Sequence, residues 1–303
     1  MLIRTHYSGH PAVPYYAVPN APQGVVISYF VGTARQVKKA TGPVRFTIDN
    51  SVGKTVTHLK GPSTPGIHAI VWNMRYRGPR TLDFGAQPAG GFLNRSFGPM
   101  VVPGTYRVIA RHGSRQSEVE TRVEEDPRDP VTLDIWQEDA RLGLIARNEL
   151  SAFNTLLNRL QNVRVQLTHF IGRNRRAAQK KRVATLLEHG RSLLKKIKSF
   201  ENKLYNPAIQ RNAPEDSLHF LARFHRGITT AYAMSAFFLA GRAPNHRMLA
   251  ILQKTRVHLR RVIAHYNLKI RPAIAAYDAL AWKLAEPTLF NGGPIHLKKR
   301  GHE

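Results

Sequence analysis

Pro43-Val44-Arg-Phe-Thr-Ile-Asp49-Asn50-Ser-Val-Gly53-Lys54-Thr-Val-Thr-His-Leu59 decides the class of the first half of the chain. Val44, Phe46 and Ile48 fall on one side of an extended backbone, with Arg45 and Thr47 on the other, the alternation of a half-buried antiparallel strand. Asn50 to Gly53 reads as a hairpin turn, so Lys54 to Leu59 returns as the partner strand. Working outward, Gly24 to Val31, Ile67 to Trp72, Tyr106 to Ala110 and Val119 to Val123 read as further strands. In the last of these, Val119, Thr121 and Val123 alternate with Glu118, Glu120 and Arg122. Trp72 is in phase with Ile70, and Tyr106 with Val108 and Ala110, which predicts core anchors rather than ligand-stacking rings. Six or seven short strands in such a span predict an antiparallel β-sandwich. From Arg75 to Val101 the chain is glycine-rich and without period, a loop length associated with function or disorder.

Beyond Pro130 the period changes from two to three and four. Leu142, Ile145, Phe153, Leu156, Leu160, Val163, Leu167 and Phe170 predict one long amphipathic helix with a polar slot at Glu149. Gly172-Arg173-Asn174-Arg175 marks its turn, and Val183 to Leu204 predicts an antiparallel return that stops before Pro207. Asp216-Ser217 is placed to cap a third helix over 218–239. His246 to about Trp282 predicts a fourth, kinked at Pro272, whose ring removes a backbone donor. The expected class is therefore α+β and multidomain: an extended connector over 1–22, a β-sandwich over 23–129, an antiparallel four-helix bundle over 130–286 and a flexible basic tail over 287–303.

Composition restricts the chemistry. At 303 residues, two domains are expected, and a 42% hydrophobic fraction suffices for real cores. The chain has no cysteine, which excludes disulfides, thiol nucleophiles and thiolate metal sites. No apolar run is long enough to predict a transmembrane segment, and the first residues have no apolar core of a signal peptide. Forty-six Lys and Arg against 19 Asp and Glu give a net charge of +27. Such a surface attracts polyanions, whether nucleic acid, acidic glycan or anionic lipid headgroups.

The β-half resembles a known series. Its residues are Tyr15-Tyr-Ala-Val-Pro19-Asn20-Ala-Pro22-Gln-Gly24, Ile48-Asp49-Asn-Ser-Val-Gly53, Val71-Trp72-Asn-Met-Arg75-Tyr76, Gly98-Pro99, Pro103-Gly104-Thr105-Tyr106 and Asp126-Pro127-Arg128. It is similar to the region after the β-propeller in bacterial BNR-repeat, sortilin-like proteins of glycosyl hydrolase type. The resemblance implies an Ig-like sandwich followed by helices, with His265-Tyr266-Asn267-Leu268 in the place of an Asn that precedes the last helix. It also implies an upstream propeller, as domain or separate protein, and export to the periplasm or cell surface. The family's propeller turns, Ser-x-Asp-x-Gly-x-x-Trp, are missing here. Asp49-Asn-Ser-Val-Gly53 puts three residues between Asp and Gly rather than one. Any glycosidase activity implied by the family would belong to the propeller.

Each catalytic candidate has a simpler explanation. Glycoside hydrolysis needs two carboxylates facing a cleft, but Glu118 and Glu120 alternate onto a solvated strand face, while Glu124, Glu125, Asp126 and Asp129 follow at the strand's exit. Fourteen histidines include no His-Glu-x-x-His pattern. His258 and His265 could share a helix face without a carboxylate at ligand spacing, and His6 and His10 flank a turn near the start. No Gly-x-Ser-x-Gly elbow or phosphate-binding Gly-x-x-x-x-Gly-Lys-Ser/Thr loop occurs, and Gly90-Gly91 reads as a loop tip. No catalytic residue, metal ligand or cofactor is therefore assigned.

The remaining candidate is electrostatic. Arg173, Arg175, Arg176, Lys180, Lys181 and Arg182 cluster at the predicted hairpin tip, with Lys195, Lys196 and Lys198 on the second helix and Arg256, Arg260 and Arg261 on the fourth. After Pro130 the chain carries 30 Lys and Arg against 11 Asp and Glu. A polyanion tracked by these cations would bind with strong salt dependence. Aromatic residues do not interleave with the basic run as base-stacking platforms would, which speaks against nucleic acid. A solvated basic surface suited to an acidic or anionic-surface environment is the favoured reading, with an anionic glycan or surface as the partner otherwise expected. The expected function is a non-catalytic accessory or interaction module. The alternatives are a sialidase-like glycosyl hydrolase chain whose propeller is missing and a basic polyanion-binding protein.

Overall fold

A computed structural model describes residues 22–33, 42–84, 97–128, 131–174, 181–206, 223–234, 243–289 and 292–297. The protein is a mixed α+β chain whose described strands all precede its helices. The strands are β1 (Val25–Val31), β2 (Val44–Asn50), β3 (Thr55–Gly61), β4 (Gly66–Trp72), β5 (Gly104–His112) and β6 (Arg115–Val123). They form two antiparallel sheets, one of β1 and β4 and one in the order β3-β2-β5-β6. The Asn50 turn closes as its sequence predicts. Gly53 N–H donates to Asn50 O at 2.9 Å, the Asn50 side chain accepts from Lys54 N–H at 2.8 Å, and Gly53 takes φ +76°.

One apolar cluster joins the sheets: Ile27, Val31 and Trp72 from the first, and Val44, Phe46, Ile48, Val56, Tyr106, Val108 and Val123 from the second. Trp72 is fully buried, meets Tyr106 edge-on at 5.1 Å and donates from Nε1 to Arg75 O at 3.2 Å. A bulge between Ile48 and Asp49 turns both Val56 and Thr57 inward. β6 departs from its pattern: Val119 is exposed and only Val123 is buried. As the last strand of its sheet, β6 has little opposite it to cover the alternating face.

The outward face of the β1–β4 sheet is apolar too. Register pairs Val26 with Val71, Ser28 with Ala69 and Phe30 with Ile67, and all six side chains are exposed, Phe30 at 69% and Ile67 at 82%. Val26, Ser28 and Phe30 are alternate residues of one strand, so the period of two holds but both faces carry apolar groups.

The helices are α1 (Leu133–Arg173), α2 (Lys181–Leu204), α3 (Phe224–Ala233), α4 (His246–His265) and α5 (Arg271–Lys283). α1 begins about two turns before its clear apolar period and supplies the fully buried row Phe153, Leu156, Leu157, Leu160, Val163 and Leu167. α3 covers the described part of the expected third helix and follows an extended Arg223; residues 218–222 and 235–239 of that span, and the expected Asp216-Ser217 cap, lie outside the described residues. α4 continues into α5 through a π turn, Tyr266–Ile270, with Arg271 N–H bonded to Tyr266 O. Pro272 explains it: without an N–H, and with its ring against the previous turn, it forces the wider turn just before it.

The described part of the aperiodic stretch after Arg75 joins the two halves. Residues 76–84 lie along α1. Asn158 accepts from Asp83 N–H at 2.9 Å and donates to Thr81 O at 3.0 Å, Asn154 donates to Arg80 O at 2.6 Å, and Ser151 Oγ accepts from Arg80 N–H at 3.1 Å. Leu82 is buried in the helical core, and Phe84 meets Tyr205 edge-on at 5.7 Å. Gly98 closes the loop: a Cβ there would sit 1.8 Å from Tyr76 O. In the segment expected as a tail, Ile295 is buried and exchanges two bonds with the Asn267 side chain, at 2.8 and 3.2 Å.

Candidate polyanion-binding surface

α4 starts cleanly because Asn245 caps it, accepting from Met248 N–H at 3.0 Å. Between Asp216 and Asp278 the sequence holds no Asp or Glu, so α4 and the π turn carry no acid. Met248, Leu259, Val262 and Ile263 face the core, while Arg247, Lys254, His258, Arg260 and Arg261 are exposed. On α2, Leu186, Leu193, Ile197 and Phe200 point inward and Arg191, Lys195, Lys196, Lys198 and Lys203 point outward.

The two surfaces meet where the His265 ring lies 4.8 Å from the Phe200 ring. Lys196 and Lys203 sit one turn either side of Phe200, and Arg261 and Lys269 one turn either side of His265; all four are exposed. Of the two acids of α2, only Glu188 opposes this field at the surface. Glu188 is exposed, while Glu201 pairs with Arg164 at 3.1 Å with 14% of its side chain exposed. Burial pushes the Glu201 pKa up, partly offset by Arg164 and Lys198. A field of one sign on one face draws polyanions to it.

The expected hairpin-tip cluster is only partly described. Arg173 is exposed in the last turn of α1. Arg175, Arg176 and Lys180 lie outside the described residues, as do the side chains of Lys181 and Arg182, although both belong to α2. Lys195, Lys196, Lys198, Arg260 and Arg261 are exposed as expected. Arg256 is not part of this surface. It is buried, and its Nε lies 2.9 Å from Glu149 Oε1, with 9% and 8% of the two side chains exposed. The polar slot of α1 is thus filled by a cation from α4.

The catalytic candidates separate in space. Glu118 and Glu120 are exposed on edge strand β6, opposite Ile109 and Arg107. Asp49 accepts from Thr55 Oγ1 at 2.8 Å beside the hairpin turn. His258 stacks on Phe224 at 4.2 Å and His265 packs on Phe200. Among the described residues, no three His, Asp or Glu side chains are placed to hold a metal ion, and no helix is long and apolar enough to cross a membrane. His6, His10, Asp129 and Gly90-Gly91 lie outside the described residues.

Sequence reasoning missed the exposed apolar face of β1–β4, although Val26, Phe30, Ile67 and Val71 stood in plain alternation. It also missed the role of Asn154 and Asn158, whose spacing of four on one helix face was the available signal. No family model, curated protein or solved structure matches the chain.

Proposed function

We propose that this chain is a non-catalytic interaction module that docks through the outward face of its β1–β4 sheet onto a propeller-bearing partner. The observation that carries the reading is that face itself. Three cross-strand pairs, Val26–Val71, Ser28–Ala69 and Phe30–Ile67, are apolar or small and exposed. Contiguous exposed apolar surface of this kind marks contact sites. In the sequence, the expected connector over 1–22 comes just before β1.

The finer fold supports the same reading. In Ig-like order, β2, β3, β5 and β6 take the places of strands C, C′, F and G, and β1 and β4 those of B and E. Tyr106, near the start of β5, donates from its hydroxyl to Val102 O four residues upstream, as a tyrosine corner does. The packing of α1, α2, α3 and the continuous α4–α5 about one core is read as the four-helix bundle. Together these features favour a post-propeller module of the BNR-repeat, sortilin-like kind, exported with its partner. The loop laid along α1 then holds the docking sheet and the helices as one unit.

The test begins with the DNA directly upstream of Met1, where Asp-box repeats are expected in the same or a neighbouring frame. The propeller encoded there, co-expressed with this chain, should co-elute with it, and Phe30→Ser with Ile67→Ser should abolish co-elution. Intergenic DNA upstream would rule out the propeller, and co-elution unchanged by the double substitution would rule out the face. Hydrolysis of aryl glycosides by this chain alone would overturn the non-catalytic reading.

A further inference from the structure

A second surface lies on the helical half, and nothing about it depends on the sheet. The buried side of the continuous helix from α4 to α5 runs through Leu259, Val262, Tyr266, Ile270, Ile274, Tyr277 and Ala281. Directly opposite, the exposed side steps through Arg261, Ala264, Leu268, Pro272, Ala275, Ala279 and Trp282. Leu268 is 70% exposed and Trp282 78%, and the positions between them are small or proline. At 1.5 Å per residue the two large side chains stand about 21 Å apart along one line. Each is followed by an exposed lysine, Lys269 and Lys283, and Arg260 and Arg261 precede them. No acid lies on this exposed line. Asp278, on its flank, is half-buried and accepts from Leu289 N–H at 2.7 Å.

We infer that this helix face seats on an anionic lipid surface, with Leu268 and Trp282 entering the headgroup boundary and Arg260, Arg261, Lys269 and Lys283 on the lipid phosphates. Three features favour lipid over other polyanions. A tryptophan and a leucine facing water on a helix with cations beside them match the amphipathic pattern of interfacial helices. The small residues between them let the helix axis approach a flat surface closely. The absence of acid, within a chain of net charge +27, matches the negative potential of anionic leaflets. Nucleic acid would use the cations but leave Leu268 idle.

The test uses the full chain with phosphatidylcholine vesicles, with and without phosphatidylglycerol, read by co-sedimentation and tryptophan emission. Trp72 is fully buried and Trp136 half-buried, so a change on binding reports chiefly Trp282. Expected are binding only to the phosphatidylglycerol vesicles, a blue shift, and a loss of binding when ionic strength rises from about 0.05 to about 0.5 M. Trp282→Ala and Leu268→Ser should each weaken binding about tenfold, the former removing the blue shift. Lys269→Gln with Lys283→Gln should weaken binding while keeping the shift in what remains. These side chains are exposed, so the variants should keep the parent's circular dichroism. Four results would overturn the inference: no vesicle binding, binding without a blue shift, binding unchanged in both apolar variants, or tighter binding to duplex DNA with Trp282 emission unaltered. So would a dimer in which Trp282 is already shielded from a soluble quencher without vesicles.

Discussion

Replacing Arg256 with Met should destabilise the helical half strongly, and the structure sets how much. The Arg256 guanidinium and the Glu149 carboxylate lie 2.9 Å apart, with only 9% and 8% of their side chains exposed. Met keeps most of the volume and removes the charge, leaving the carboxylate buried without its cation. Breaking one partner of a buried pair costs about 3–5 kcal/mol. Urea unfolding at neutral pH, followed by the helical circular dichroism signal, measures the cost. Glu149→Leu combined with Arg256→Met should recover most of the loss, because a well-packed apolar pair can match a buried ion pair. A single-variant cost below about 1 kcal/mol would show that water reaches the pair and refute the reasoning.

Two further outcomes follow from particular contacts. Asn158→Leu removes both bonds to residues 81–83 and should cost about 2–3 kcal/mol; it should also speed amide hydrogen exchange at Asp83, whereas unchanged exchange would mean that the loop is held elsewhere. Burial pushes the Tyr277 hydroxyl up to about 12, with Asp278 and Glu286 adding to the shift, and its oxygen has no hydrogen-bond partner among the described residues. A raised folded pKa means that stability is lost as pH climbs from the ordinary tyrosine value of about 10 toward about 12. Tyr277→Phe should be neutral at neutral pH and should flatten that alkaline decline, as thermal unfolding across the range would reveal.

The sequence made the local periods legible and left their partners open. Val44, Phe46 and Ile48 were readable as a core face because alternation depends on the backbone alone. Val119 has the same alternation and is exposed, because burial requires something opposite and β6 ends its sheet. The polar slot at Glu149 was visible, but its cation comes from a helix more than a hundred residues on, a distance no local pattern spans. Arg256 therefore read as one more surface charge. The aperiodic loop after Arg75 gave no signal because what orders it is backbone hydrogen bonding to Ser151, Asn154 and Asn158, which leaves no apolar period. On the basic surface, the exposed lysines of α2 followed from helical phase. The wet side of α4–α5 did not, because the π turn before Pro272 shifts the phase.

The docking of the β1–β4 face tests the account most directly, and the absence of native cysteine makes it measurable. Ile67→Cys places the sole thiol on that face opposite Phe30, and Val52→Cys places it on the exposed Asn50–Gly53 turn as a control. In the chain alone, both should react with a maleimide at the rate of a free thiol. With the proposed propeller partner bound, labelling at residue 67 should slow at least about tenfold while residue 52 is unaffected, since a docked apolar face excludes water and reagent. Equal labelling of both positions in the complex would contradict the account.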